Sequence, residues 1–213
     1  MKTVFMNPGH GGKDSGNVNT GIREKDSALA DCKTIGHYIR LLSKVGDITG
    51  PSLIRTLFSR EVDLTMSVDT VAMSARSSRA DLFVSLHSNS SINSTANGAE
   101  VFVCADDAGK ELFIRKARIL GTDILDRLTA CGLKNRGVRS DKQSNVWKIF
   151  GKGLKVLRGT AWHMPGVLIE THFASNKHDR LLMSNDESRE MICMQIALAI
   201  VEFLGIEPRL DLV

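Results

Sequence analysis

The chain has 213 residues, a formal net charge of +4, and 42% hydrophobic against 24% charged residues, the profile of an ordinary globular protein. That length supports a single core without disulfide staples, and the four scattered prolines mark no linker. The mild positive excess suits approach to polyanions without choosing among them. With aromatics at 5% and no basic run interleaved with them, a nucleic-acid partner is not expected.

The N-terminus carries one Lys followed by too few apolar residues for a signal-peptide core, which needs roughly 7–15. No apolar stretch approaches the roughly 20 residues of a membrane span. A product made in the cytoplasm, without signal peptide or membrane span, is therefore expected. Cys32, Cys104, Cys131 and Cys193 are far apart in apolar or helical contexts and read as reduced thiols.

Lys2 to Met6 form a short β-prone run that stops at Asn7-Pro8-Gly9. Residues 9–21 hold five glycines among Asn, Asp and Ser and read as a loop. From Lys25 to Lys44 apolar residues recur at helical spacing, and Gly46 closes the helix. Leu53 to Phe58 predicts a second strand and Met66 to Arg79 a second helix. Asp81 to His87 is a strand whose apolar centre points to burial on both faces. A polar loop from Ser88 to Asn97 leads to a strand over Ala99 to Cys104, then a helix over Lys110 to Cys131. Residues 132–152 show no pattern. Strands follow at Lys155 to Arg158 and Gly166 to Glu170, and a last helix runs from Asp186 to about Leu204. This alternation argues an α/β fold with a largely parallel sheet, its polar loops gathered at one edge.

Four residues can carry chemistry. His10 sits in a glycine-rich turn where the backbone can approach a ligand, although such a histidine can equally be a surface residue. His87 ends a buried strand and reads either as a ligand or as a hydrogen-bonded core histidine. Glu24 opens the first helix, where an acidic side chain also serves the helix dipole. Glu170 ends the apolar run Val167-Leu168-Ile169, and a carboxylate buried there asks for a partner or a metal. Burial would lift its pKa toward the range useful for proton transfer. Two imidazoles and a carboxylate suit Zn²⁺ with a position left for water, and a second Glu suits a base.

The segments Asn7 to Gly16 (Asn-Pro-Gly-His-Gly-Gly-Lys-Asp-Ser-Gly), Arg23 to Asp26, Arg79 to Asn89, Asn135 to Val138, Val156 to Arg158, and Met164 to Thr171 with Phe173 to Asn176 occur in order through nearly the whole chain. In this they resemble the zinc N-acetylmuramoyl-L-alanine amidases of bacterial cell-wall hydrolases and phage endolysins. The resemblance implies one Zn²⁺ per chain held by His10, Glu24 and His87, with Glu170 as the catalytic carboxylate. It implies a single domain, a twisted, mostly parallel mixed sheet of about six strands flanked by helices, over residues 1–205, with 206–213 a short tail. The implied substrate is peptidoglycan, cut between N-acetylmuramic acid and L-alanine. A phage-type lysin that reaches the wall after membrane breach is one expected setting. The rival readings are a peptidoglycan-binding module without catalysis and a zinc peptidase acting within the stem peptide. His-Glu-x-x-His, the commonest peptidase signature, is absent.

The chain departs from its relatives at three places. Asn7 stands where Asp is usual and would orient a ligating imidazole without charge. His172 replaces the usual Gly after Glu-Thr and reads as a substrate-binding or electrophilic group or simply as a surface residue. Residues 47–60 lack a clean Val-x-x-Thr-Arg strand. Asn89 is a further candidate for the surroundings of the site, and the unpatterned segment with Trp147, and Trp162 beyond it, reads either as ordinary packing or as the wall of a substrate groove.

Overall fold

The computed structural model describes residues 1–213. The elements are β1 (Lys2–Pro8), β2 (Val18–Asn19), β3 (Ile22–Arg23), α1 (Glu24–Leu42), β4 (Ile54–Phe58), α2 (Val68–Ser77), β5 (Leu82–Asn89), β6 (Ala99–Val103), α3 (Glu111–Ala130), β7 (Asn135–Ser140), α4 (Asn145–Phe150), α5 (Lys155–Thr160), β8 (Gly166–Phe173), α6 (Lys177–Ser184) and α7 (Asp186–Phe203). Six strands form one mixed sheet in the order β4-β1-β5-β8-β6-β7. All neighbours are parallel except β6 and β8. A parallel return needs a crossover of a dozen residues or more, and the short link over residues 90–98 does not provide one.

Helices cover both faces, so the central strands are apolar on both sides. Val4, Met6, Leu82, Val84 and Ile169 pack under α1, α3 and α7, while Phe5, Phe83 and Leu168 pack under α2 and α5. Chain connections leave β1 toward β4 on one side, and β5 lies on the other. The opening between β1 and β5 at their carboxyl ends is therefore the topological switch point, where ligands of open α/β sheets bind.

Three expectations change. Residues 155–158, read as a strand, form the start of α5: Val156, Leu157, Thr160 and Ala161 bury one helical face against α2. A run of four residues is too short for its period to separate helix from strand. The unpatterned stretch 132–152 contains β7 and α4. β7 is an edge strand with no fully buried residue, and α4 buries none, so neither shows an apolar period. The loop over 9–21 holds β2, half of a small antiparallel hairpin with β3, turned through Thr20 and Gly21 at positive φ. α6 is an added helix, capped by the Asn176 side chain. β4 forms despite its irregular sequence and pairs with β1 from Lys2↔Ile54 to Met6↔Phe58. The four cysteines are free, three of them buried. No helix is long and apolar enough to cross a membrane.

Candidate metal centre

β1 and β5 deliver the two histidines, and α1 delivers the carboxylate between them. The ligating atoms of His10, Glu24 and His87 lie within 4.8 Å of one another. Glu24 Oε1 is 3.1 Å from His10 Nε2 and 3.1 Å from His87 Nδ1. The outer imidazole nitrogens are also engaged: His10 Nδ1 faces Asp14 Oδ2 at 2.8 Å, and His87 Nε2 faces Ser85 Oγ at 3.1 Å. Glu24 is held in turn by the Ser88 N–H on Oε1 and by the Asn17 backbone and side-chain N–H groups on Oε2. Glycine is required for this approach. A Cβ on Gly9 would sit 2.4 Å from His87 Cε1, and one on Gly16 would sit 2.6 Å from Glu24 Oε2.

Burial disfavours charge on both Glu24 and His10, yet each stabilises the other. Burial pulls the Glu24 carboxyl up, but His10 and His87 outweigh it and hold the group well below the usual carboxylate range. Burial likewise lowers His10, but Glu24 and Asp14 lift it to about 9. Without a metal, the carboxylates converging on the His10 imidazole favour its protonated form. A divalent cation satisfies the same field with the imidazoles neutral, so metal binding would release that proton. Two imidazole nitrogens and a carboxylate oxygen fit such an ion.

Glu170 lies beside His87, its register partner across β5 and β8. Its Oε2 is shielded from solvent and has no hydrogen-bond partner. Burial, and then the charges of Glu24 and Glu100, raise its pKa to about 8, with His10 opposing. Glu100 is its cross-strand partner on β6 and is itself buried. Asn89 Nδ2 donates to Glu100 Oε1 at 2.6 Å, and Arg136 and Arg139 flank Oε2 at 3.1 and 3.2 Å.

The fold has close counterparts. A family model described as N-acetylmuramoyl-L-alanine amidase matches residues 4–202. The chain belongs to the N-acetylmuramoyl-L-alanine amidase family. It is similar to the endolysin of Bacillus phage SPP1, 29% identical over 98% of this chain and 68% of that protein. It is also similar to the uncharacterised protein YqiI of Bacillus subtilis (strain 168), 32% identical over 89% of this chain and 78% of that protein. Among solved structures, the catalytic domain of CwlV, an N-acetylmuramoyl-L-alanine amidase from Bacillus (Paenibacillus) polymyxa var. colistinus, superposes with a TM-score of 0.75 at 25% identity, covering 97% of this chain and 99% of that one.

Around the centre of this amidase, a groove divides into two cavities. One, of about 440 Å³, reaches from His10 and His87 to the apolar side chains of Met66, Val71, Phe150 and Leu168. The other, of about 280 Å³, is polar and contains Glu170, Glu100, Asn89, Arg136 and Arg139. Val146 and Leu154 border both, so the segment carrying α4 straddles the groove. That segment is anchored by the fully buried Asp141, which accepts from Ala105 N, Leu154 N and Arg158 Nε. Trp147 packs beneath Lys142 and Arg158 and borders neither cavity; Trp162 is exposed.

The other candidates from sequence fall differently. Asn7 hydrogen-bonds neither imidazole: its Nδ2 donates to Ser85 Oγ, which faces His87. Asn89 reaches Glu170 only through Glu100. His172 faces away from the groove, because the register slips between His87 and Asn89, and it borders a small polar cavity behind Glu24. Burial lowers its pKa to about 4, so it sits there as a neutral imidazole bonded to Thr171 Oγ1. Sequence reasoning missed Asp14, Ser85, Asn17 and Glu100. Asp14 stands four residues beyond His10 and Ser85 two before His87 on one strand face, spacings that could have drawn notice; Asn17 and Glu100 are united with the site only by the fold.

Proposed function

We infer that the protein hydrolyses the amide joining N-acetylmuramic acid to L-alanine in peptidoglycan, in wall lysis or remodelling. One zinc ion would be held by His10, Glu24 and His87, whose His10 Nε2, Glu24 Oε1 and His87 Nδ1 atoms converge. When bound there, zinc supplies a Lewis acid that polarises the scissile carbonyl and lowers the pKa of water toward about 7. The observation that carries the reading is Glu170 Oε2, a buried acceptor without a partner beside the convergent donors. An orphaned buried carboxylate oxygen costs free energy in the resting fold, which is tolerable where substrate or water completes it.

Glu170 takes the proton of the attacking water on Oε2 and returns it to the departing alanine nitrogen. Asp14 fixes the His10 ring so that Nε2 faces inward, and Ser85 does the same for His87 Nδ1. The groove then positions the sugar and peptide on either side of the bond, with the α4 segment bordering both. Purified sacculi digested with the zinc-loaded protein test this reading by mass spectrometry of the products. Intact stem peptides with free L-alanine amino termini are expected. Cleavage within the peptide, or no release at all, would refute it. Glu170→Ala should retain zinc and release nothing.

A further inference from the structure

We propose that Arg60 is a positioning residue that sets the spacing and orientation of His10 and Glu24 for metal binding, an inference that rests on the metal reading above. Arg60 follows β4 and is only 3% exposed. Its guanidinium makes no carboxylate ion pair; Asp63, three residues on, pairs with Lys25 instead. A buried cation in that position needs other compensation. It finds it in backbone carbonyls: Nη2 donates to Gly9 O and to Lys25 O, both at 2.8 Å, and Nε donates to Pro8 O at 3.3 Å.

The placement of those carbonyls is informative. Gly9 precedes His10, and Lys25 follows Glu24. One planar fork therefore ties the turn carrying one ligand to the first turn of the helix carrying another, a geometry lysine cannot reproduce. The Gly9 carbonyl belongs to the peptide whose rotation defines φ of His10. That φ is 60°, a left-handed value that costs a β-carbon residue energy and persists only when surroundings enforce it. Arg60 holds this peptide at Gly9 O, and the preceding peptide is fixed in turn by Gly9 N donating to Leu86 O. Residues after Arg60 extend the same cradle: Asp63 accepts from Gly12 N, and Thr65 Oγ1 accepts from Lys13 N. Release of the guanidinium frees His10 to relax toward negative φ and swings Nε2 away from Glu24.

The test is zinc affinity of the full chain, by competition with a chromophoric chelator, together with the visible spectrum of the Co²⁺-substituted protein. Arg60→Met and Arg60→Lys are compared with wild type and with Leu128→Ala, a fully buried change on α3, a helix that supplies no ligand. Both Arg60 variants should bind zinc about 10–100-fold more weakly, with an altered Co²⁺ spectrum, whereas Leu128→Ala melts earlier but keeps wild-type affinity and spectrum. If Arg60→Met does not fold, Arg60→Lys carries the same expectation. Wild-type affinity and spectrum in the Arg60 variants would overturn the proposal, as would an equal loss in Leu128→Ala. Failure of the wild-type chain to bind zinc would instead sink the metal reading, and this proposal with it.

Discussion

Replacing Glu170 by Gln in the metal-free protein removes a titrating group whose folded pKa lies near 8 rather than the ordinary 4.5, raised first by burial and then by Glu24 and Glu100. The sign follows from which form the fold prefers. A carboxyl with a raised folded pKa favours the protonated native state, so its contribution is full below 4.5, declines as pH rises, and levels off above about 8. Each pH unit within that window costs about 1.4 kcal/mol. Wild type should therefore lose about 3 kcal/mol relative to Glu170→Gln between pH 4.5 and pH 7, and about 4 kcal/mol by pH 8. For a chain of this size, 1 kcal/mol moves the melting point by roughly 2–4 °C. Any cost of burying the Gln amide is independent of pH, so the slope is the readout. Paired thermal melts of chelator-treated wild type and Glu170→Gln at pH 5, 6, 7 and 8 measure it. A melting difference that does not change with pH would refute the reasoning, because Glu170 would then titrate as an ordinary exposed carboxylate.

Three further outcomes are expected. Asp14→Asn leaves His10 Nδ1 without its anionic partner and should weaken zinc binding about 10-fold or somewhat more, read by chelator competition. Gly9→Ala places a Cβ 2.4 Å from His87 Cε1; the ring must move, and zinc affinity should fall at least about 10-fold, with an overpacking cost of about 1–3 kcal/mol in a chemical denaturation series. Glu100→Gln removes the like charge opposite Glu170 and should shift the acid limb of the kcat/KM profile on soluble muropeptides to lower pH; an unmoved limb would show that the two carboxylates are not coupled.

The parts of this molecule legible in sequence are those whose stability is written in their own apolar pattern. β1, β5 and β8 are buried on both faces, and α1 and α3 turn one apolar stripe to the sheet. β7 and α4 owe their form to Asp141, Arg158 and edge pairing with β6, contacts between residues distant in the chain, and their solvated side chains carry no period. Residues 155–158 illustrate the limit from the other side: Val156 and Leu157 satisfy a buried strand or a buried helix equally well until α2 is placed against them. At the site, motifs around His10, Glu24, His87 and Glu170 marked the residues that converge. The supports beneath them are ordinary loop residues in sequence. Of the departures that drew attention, Asn7 borders the groove but bonds Ser85 rather than an imidazole, and His172 is turned away where the register slips.

Anomalous diffraction at the zinc edge from crystals of the zinc-loaded protein tests the central claim most directly. One peak per chain is expected, about 2.0–2.2 Å from His10 Nε2, a Glu24 carboxylate oxygen and His87 Nδ1, with Glu170 Oε2 within hydrogen-bond reach of its remaining coordination position. No peak between these residues, or a zinc ion ligated elsewhere in the chain, would contradict it.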